Sequence, residues 1–373
     1  MSAPSTITTR LDHIAANLRS VRARVGDRLV LASLKTNAYG HGAVDVARMI
    51  EATHGADWLG VSTVAGGIEL RDAGIHLPIL KLTVTRGDDI RDAVAAGITP
   101  TVVDEQSITV AGRAAGELDR HVEVHLKVDT GMHRLGCSPR DATRLAALAT
   151  ITPRMRVGGV MSHLSSAETP IQNDFTNDQI ALFARVCSEV EAVTGRVIKH
   201  IANSGGVLAH PDSWFDMVRP GIMIYGAYPS INAPHIMRLQ PGLEWTTRLI
   251  SVRQIEAGET VGYDRTWTAP SDTWIGTFPV GYSDGYSRLL SNRGRVLVGG
   301  RRCPIAGRVN MDQTMVDLGP HATDRIGDEV VLIGRRGAEE ITVGEIAEIM
   351  GTIPYEVMCT IGRQADHVNR TEE

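Results

Sequence analysis

The sequence predicts an α/β protein, a (β/α)8 TIM-type barrel followed by a mostly-β C-terminal domain. Three observations carry this expectation. Between residues 29 and 218, eight short apolar segments alternate with stretches of helical periodicity, and that number of βα units closes into a barrel. Around residue 230 the texture changes, because Y-P-S-I-N-A-P-H-I-M-R-L-Q-P-G carries three prolines and reads as a linker. Beyond it, short alternating runs are separated by Gly pairs and Gly-Asp turns, the pattern of half-buried strands. The expected division is residues 1–237 for the barrel and 238–373 for the β-rich domain. A chain of 373 residues is too long for one ordinary core and agrees with two domains.

Taken in order, residues 11–25 have helical periodicity and precede the first strand, residues 29–34, which is apolar on both faces as a buried parallel strand should be. That strand ends in Lys35, and Asn37, Gly40 and Gly42 interrupt the chain before a helix begins at Val44. Further strands are expected at 58–61, 78–82, 99–103, 121–128, 155–161, 197–202 and 216–218. Helices lie between them, among them 64–73 with its Gly74 stop, 138–149, and 177–193 ending before Gly195. An open doubly wound sheet is the alternative, but its first strand leads into a Gly-rich dinucleotide turn, which N-A-Y-G-H-G matches poorly. In the second domain the strands fall at 249–255, 274–280, 295–298, 314–318 and 329–333, closed by a helix at 343–350.

Composition narrows the function. The chain is 43% apolar and 22% charged with a mean hydropathy of −0.06, and it has no apolar run approaching the roughly 18 residues of a membrane span. Its start, M-S-A-P-S-T-I-T-T-R, has no apolar signal core, so the expected location is cytoplasmic. Cys137, Cys187, Cys303 and Cys359 are far apart and match no zinc spacing, so no metal is expected. A net charge of −5 supplies no basic field for nucleic acid.

Lys35 is the first candidate for chemistry. The chain has only four lysines (Lys35, Lys81, Lys127 and Lys199), its other cations being arginines. A lysine at the mouth of a buried strand suits chemistry that needs an amine able to lose its proton, which arginine cannot supply; a strand-capping lysine that snorkels to water explains it equally. In a barrel the site lies at the carboxyl ends of the strands, with phosphate held by the loops after strands seven and eight. The seventh ends in A-N-S-G-G, with the Ser204 hydroxyl; the eighth ends in V-R-P-G-I-M-I-Y-G, where Gly221 and Ile222 present backbone N–H groups. Each alone is ordinarily just a turn, but together with Lys35 they point to pyridoxal 5'-phosphate. Lys127 lies in an apolar run, so it must be paired, neutral or modified. Arg134 suits a bidentate carboxylate clamp or a surface ion pair, and His163 alone reads as a satisfied core histidine.

S-L-K-T-N-A-Y-G-H-G, L-K-V-D-T-G-M-H-R-L-G, I-A-N-S, M-V-R-P-G-I-M-I-Y-G, V-G-Y-D-R-T-W, P-V-G-Y-S-D-G-Y-S-R and G-R-V-N-M-D-Q together resemble alanine racemase, the fold-type III pyridoxal phosphate enzyme, in the family's order and over nearly the whole chain. The resemblance implies an amino-acid racemase that makes D-alanine for peptidoglycan. It also implies a homodimer whose active sites each combine one barrel with the partner's β-domain. By motif, Lys35 is similar to the Schiff-base lysine and one catalytic base, and Tyr263 to the opposing base from the other subunit. Tyr39, Ser204, Gly221, Ile222 and Tyr355 resemble the phosphate-binding set, with Asn203 and His163 also among the cofactor residues. Arg219 resembles the residue facing the pyridine nitrogen, and His163 would link it to Tyr263. Arg134 and the backbone of Met311 resemble substrate-carboxylate contacts. Lys127 matches a lysine often carbamylated in the family, and Glu168, Tyr282, Arg288, Arg308 and Ile353 match the substrate entrance.

Three features depart from the family pattern. Asn310 stands where many relatives have Cys, T-N-A-Y replaces A-N-A-Y, and the tail I-G-R-Q-A-D-H-V-N-R lacks an R-V-P-R-like ending. A racemase of another small amino acid such as serine, or of broad specificity, is therefore the alternative. A decarboxylase of the same architecture fits less well, because such enzymes place an acid at the pyridine nitrogen. A pyridoxal phosphate carrier resembles a barrel without the domain that carries Tyr263.

Overall fold

The structure, a computed structural model, describes residues 4–371. The chain forms two compact units, one of residues 15–224 and 231–239, the other of residues 1–14, 225–230 and 240–373. The first strand, β1 (Ser5–Arg10), belongs to the second of these. Where the sequence places all of residues 1–237 with the barrel, the structure therefore takes the N-terminal strand away from it.

The larger unit is the barrel. Its strands are β2 (Leu29–Ser33), β3 (Trp58–Val61), β4 (Ile79–Val84), β5 (Ile98–Val102), β6 (Val122–Lys127), β7 (Met155–Met161), β8 (Ile198–His200) and β9 (Met217–Val218). They run parallel in the order β8-β7-β6-β5-β4-β3-β2-β9. The seam between β8 and β9 has no ladder; it is closed by Asp216 N–H to Lys199 O (3.1 Å), Arg219 N–H to Ala202 O (2.9 Å) and Lys199 N–H to Asp216 Oδ2 (2.9 Å). Helices follow the strands, from Ala43–Thr53 after β2 to Ser204–Ala209 after β8. Alternation sends Val124 and Leu126 of β6 outward into the core shared with the helices, which includes Ile108, Leu145, Val160 and Phe183. A smaller apolar layer of Leu31, Leu80, Met161 and Met217 packs as a separate cluster. The long helix Asn173–Thr194 is stopped by Gly195 at φ 74, as expected from sequence.

In the second unit, β10 (Leu243–Arg248), β11 (Ser251–Ile255), β12 (Thr260–Val261), β13 (Trp267–Thr268), β14 (Thr273–Phe278), β15 (Arg295–Val298), β16 (Arg301–Pro304), β17 (Thr314–Gly319), β18 (Glu329–Arg336), β19 (Glu339–Ile341) and β20 (Asp366–Arg370) make three sheets. The largest has the order β16-β15-β18-β10-β1-β20, with β19 on β18; β11-β14-β17 is the second and β12-β13 a hairpin. β1 is antiparallel to β10 and parallel to β20, so the atypical tail forms a regular edge strand. Trp245 is fully buried, its indole donating to Ser5 Oγ at 3.0 Å and packing on Tyr286 at 5.9 Å between ring centroids. Among the described residues, no helix is long and apolar enough to cross a membrane.

Candidate active site

The carboxyl end of β2 leads straight into the site. From Lys35 the chain makes a single tight turn of left-handed sense, with Thr36, Asn37, Ala38 and Tyr39 all at φ between 52° and 54°. Non-glycine residues resist this conformation, at about 1–2 kcal/mol each, so other bonds must hold it. Ala38 N–H donates to Leu34 O (3.0 Å), Gly40 N–H to Thr36 O (3.1 Å), and the Asn37 side chain accepts from Ala43 N–H (2.7 Å) at the start of the next helix. His41 Nδ1 lies 2.9 Å from Tyr39 O. The turn folds Tyr39 back toward the barrel, where its hydroxyl lies 3.5 Å from Ser33 Oγ.

Opposite it, the loops after β8 and β9 meet. Ser204 Oγ accepts from Gly221 N–H at 2.9 Å, and a Cβ at Gly221 would fall 2.6 Å from Tyr39 Oη. Tyr39, Ser204, Gly221 and Ile222 thus form one buried cluster of hydroxyl and backbone donors. Asn203 caps the helix Ser204–Ala209 by accepting from Gly206 N–H (3.0 Å) and donates to Leu164 O (3.2 Å), so its amide supports the loop. Glu168 lies against Gly205 beside this loop, and burial raises its carboxyl above the usual range.

Arg219, just after β9, is the hub. Its Nη1 donates to His200 Nδ1 (2.9 Å); its Nη2 meets Ser162 O (2.6 Å), Ile201 O (3.1 Å) and His163 Nδ1 (3.2 Å). Burial lowers the guanidinium to about 9, which still leaves it a cation at neutral pH. Burial, reinforced by the Arg219 charge, holds His163 and His200 well below the ordinary histidine range, so both are neutral. A guanidinium only donates, so Nδ1 of each imidazole carries the lone pair and Nε2 the proton.

Lys127, at the end of β6, is buried with one long bond to Leu82 O (3.5 Å). Desolvation, then the charges of Arg219, Arg134 and Lys35, bring its amine down to about 8. Arg134 projects from the turn after β6, which is closed by Asp129 Oδ1 accepting from Gly131 and His133 N–H (both 3.0 Å). Gly136, at φ 144, passes so close to Asp129 that a Cβ would lie 2.5 Å from its nitrogen. Arg219, Arg134 and Lys35 therefore all act on Lys127, and such a set of cations fits a ligand carrying several negative groups.

In the second unit, Tyr263 sits on a turn after β12 and is 71% exposed; Gly262, Asp264 and Arg265 there are all at positive φ. Arg308 pairs with Asp264 at 3.4 Å. Tyr282 N–H donates to Asn310 O (3.0 Å) and Ser283 N–H to Met311 O (2.9 Å), while Asn292 Nδ2 reaches Thr266 O (3.2 Å) and Arg363 N–H reaches Asp284 O (3.3 Å). These bonds gather the loops at 263–266, 281–292, 307–313 and 353–363 into one surface. Tyr263, Tyr282, Leu289, Met311 and Ile353 are exposed, as is Arg288, and Tyr355 is half-buried on the helix Pro354–Thr360. Asn310 Oδ1 is buried without a hydrogen-bond partner.

A family model described as the alanine racemase N-terminal domain matches residues 9–229, and one described as the alanine racemase C-terminal domain matches residues 242–369. The chain belongs to the alanine racemase family. An alanine racemase of Cutibacterium acnes is 45% identical over 366 residues, 97% of each chain. The solved alanine racemase of a D-cycloserine-producing Streptomyces lavendulae matches with a TM-score of 0.94 at 34% identity, covering 100% of this chain and 98% of that one. The alanine racemase of Bartonella henselae with covalently bound pyridoxal phosphate matches at a TM-score of 0.87 and 26% identity, over 99% of this chain and 100% of that one.

In this racemase, the sequence motifs did not single out His200, which accepts from Arg219, nor His125, whose Nδ1 lies 2.9 Å from His200 Nε2, nor Glu123 beyond it. The signal was present in E-V-H-L-K, residues 123–127, where polar side chains recur at every second position of an apolar strand and so share one face.

Proposed function

We infer that the chain is a pyridoxal 5'-phosphate-dependent isomerase that interconverts L- and D-alanine, with Lys35 and Tyr263 of the partner subunit as its two bases. The observation that carries this is the buried Arg219 held by four hydrogen bonds in the same field as Lys35, Lys127 and Arg134. The donors fit the cofactor: Tyr39, Ser204, Gly221, Ile222 and Tyr355 would take the phosphate, Asn203 would support them, and Arg219 would face the ring nitrogen. When bound, the cofactor supplies an electron sink that acidifies the Cα–H of the amino acid. Arg219, a cation at neutral pH that can only donate, would leave the ring nitrogen unprotonated and so favour prompt reprotonation at Cα over transamination.

Racemisation needs one base to remove the Cα proton and another to return one on the far face. Lys35 Nζ serves one face and the phenol of Tyr263 of the partner subunit the other. His163, whose Nδ1 accepts from Arg219, keeps its Nε2–H to donate to that phenol and orient it. Arg134 and the backbone N–H of Met311 orient the substrate carboxylate. Carbamylation of Lys127 turns a misplaced ammonium into an anion that holds Arg134. Glu168, Tyr282, Arg288, Arg308 and Ile353 line the entrance. The homodimer is supported by the exposed surface around Tyr263 and by the unpaired Asn310 Oδ1. The setting is cytoplasmic and the product feeds peptidoglycan.

The test is the visible spectrum of the purified protein, followed by L-alanine in D2O with chiral analysis. A cofactor band that disappears in Lys35→Ala, with D-alanine gaining deuterium at Cα, is the expected result. A band without exchange in the wild type would overturn the reading.

A further inference from the structure

β6 presents Glu123, His125 and Lys127 on one face, in a column that runs down from the mouth of the barrel. His125 is wholly buried, its Nδ1 lies 2.9 Å from His200 Nε2, and its ring packs on Trp58 at 5.4 Å between centroids. An imidazole in such a place is costly unless both nitrogens are engaged. Below it, Nε2 lies 3.5 Å from Glu123 Oε1 and has no partner at full hydrogen-bond geometry, so the neutral ring meets the carboxylate only through a long N–H contact. Glu123, which also pairs with Arg156, reaches solvent with 20% of its side chain exposed.

The polarity of this chain is forced from its upper end. Arg219 can only donate, so His200 Nδ1 accepts, His200 Nε2 carries the proton and gives it to His125 Nδ1, and His125 Nε2–H is left facing the carboxylate. Every donor points the same way, and the series ends on a negative group, the arrangement in which successive hydrogen bonds strengthen one another. The neighbouring strand makes room for it. The register of β6 on β7 shifts between Val124 and His125, placing Gly158 and Gly159 against the column. A Cβ on Gly159 would lie 2.6 Å from the His125 ring, and one on Gly158 would overlap the Glu123 carboxyl.

We propose that His125 and Glu123 are positioning residues of the racemase, fixing through His200 the tautomer and orientation that hold the Arg219 guanidinium toward the place of the cofactor's ring nitrogen. The proposal rests on the reading that Arg219 faces that ring. With the carboxylate removed, His125 is free to move its proton to Nδ1, which sets two N–H groups against each other at His200 and loosens Arg219.

The test is a long-range proton–nitrogen NMR spectrum of histidine-labelled holoenzyme, with assignments from single His→Gln variants. Both His125 and His200 should show a protonated Nε2 and a bare Nδ1; an Nδ1 proton on either overturns the proposal, whether or not the protein racemises alanine. In Glu123→Gln the amide can accept or donate, so the His125 signal should become a mixture of tautomers. There kcat should fall about tenfold while KM for alanine changes less than about twofold, because the substrate carboxylate is not touched. Wild-type tautomers with wild-type kcat in that variant would likewise overturn it. A wild-type protein without racemase activity would remove the functional reading and leave the tautomer result to decide the relay.

Discussion

An amine held at about 8 inside a strand, beside three other cations, is under tension at neutral pH. A free lysine titrates near 10.5, so between pH 8 and 10.5 the unfolded chain holds a proton that the folded chain does not, and stability must rise with pH across that window. Below pH 8 the full cost is present. The expected gain is up to about 3 kcal/mol for the unmodified amine, seen as a narrowing stability gap between Lys127→Met and wild type in CO2-free denaturation series at pH 8 and pH 10. A constant gap would mean that the amine is solvated. The neutral amine is also the form that adds carbon dioxide, so 13C-bicarbonate should give a carbamate resonance that is lost in Lys127→Met. At the other proposed base, Tyr263→Phe should keep the cofactor's visible absorbance and lose racemisation by about 10²–10⁴-fold; undiminished turnover would remove the two-base assignment. Lys35 stood out because it ends a buried strand in a chain with only four lysines, although a strand-capping role explained it equally until the surrounding motifs were read together. His200 was not, because a histidine in I-K-H-I-A gains its meaning only from what crosses the barrel to meet it.

At the level of the element, the turn after β2 is the least legible part of the site. Asn37 and Gly40 mark a break, but nothing in Thr36, Ala38 or Tyr39 announces four successive residues at positive φ. The bonds from Asn37, Leu34 and Thr36 hold that strain, and it is what brings the Tyr39 hydroxyl to Gly221. Thr36 is exposed and β-branched, so Thr36→Gly should relieve strain and stabilise the fold by about 1 kcal/mol, read as a rise in Tm. A fall in Tm would mean that the threonine side chain contributes more than its backbone costs. The barrel strands, by contrast, were legible almost to the residue at 58–61 and 155–161, because strands buried on both faces leave long apolar runs and the helices between them end in glycine. β10 and β20 were not, since their pairing is decided by partners far away in sequence.

For the whole molecule, the proposed shared site has a direct consequence. Lys35→Ala and Tyr263→Phe, each inactive alone, should complement when mixed and allowed to exchange subunits, because a mixed dimer carries one site with both bases. Random exchange gives about a quarter of wild-type activity, measured as D-alanine formed; no recovery, in a mixture shown to have exchanged, would place both bases in one subunit.

The position of β1 bears on how the chain is made. Its two neighbours, β10 and β20, begin at residues 243 and 366, so β1 cannot be paired on both sides until β20 has been synthesised. The barrel can close while the N-terminal segment waits. A fragment starting at residue 238 would lack the strand that joins β10 to β20, so the second domain is severed by any cut at the linker and is recovered only when the opening segment is supplied, in trans or by circular permutation that fuses it after residue 370.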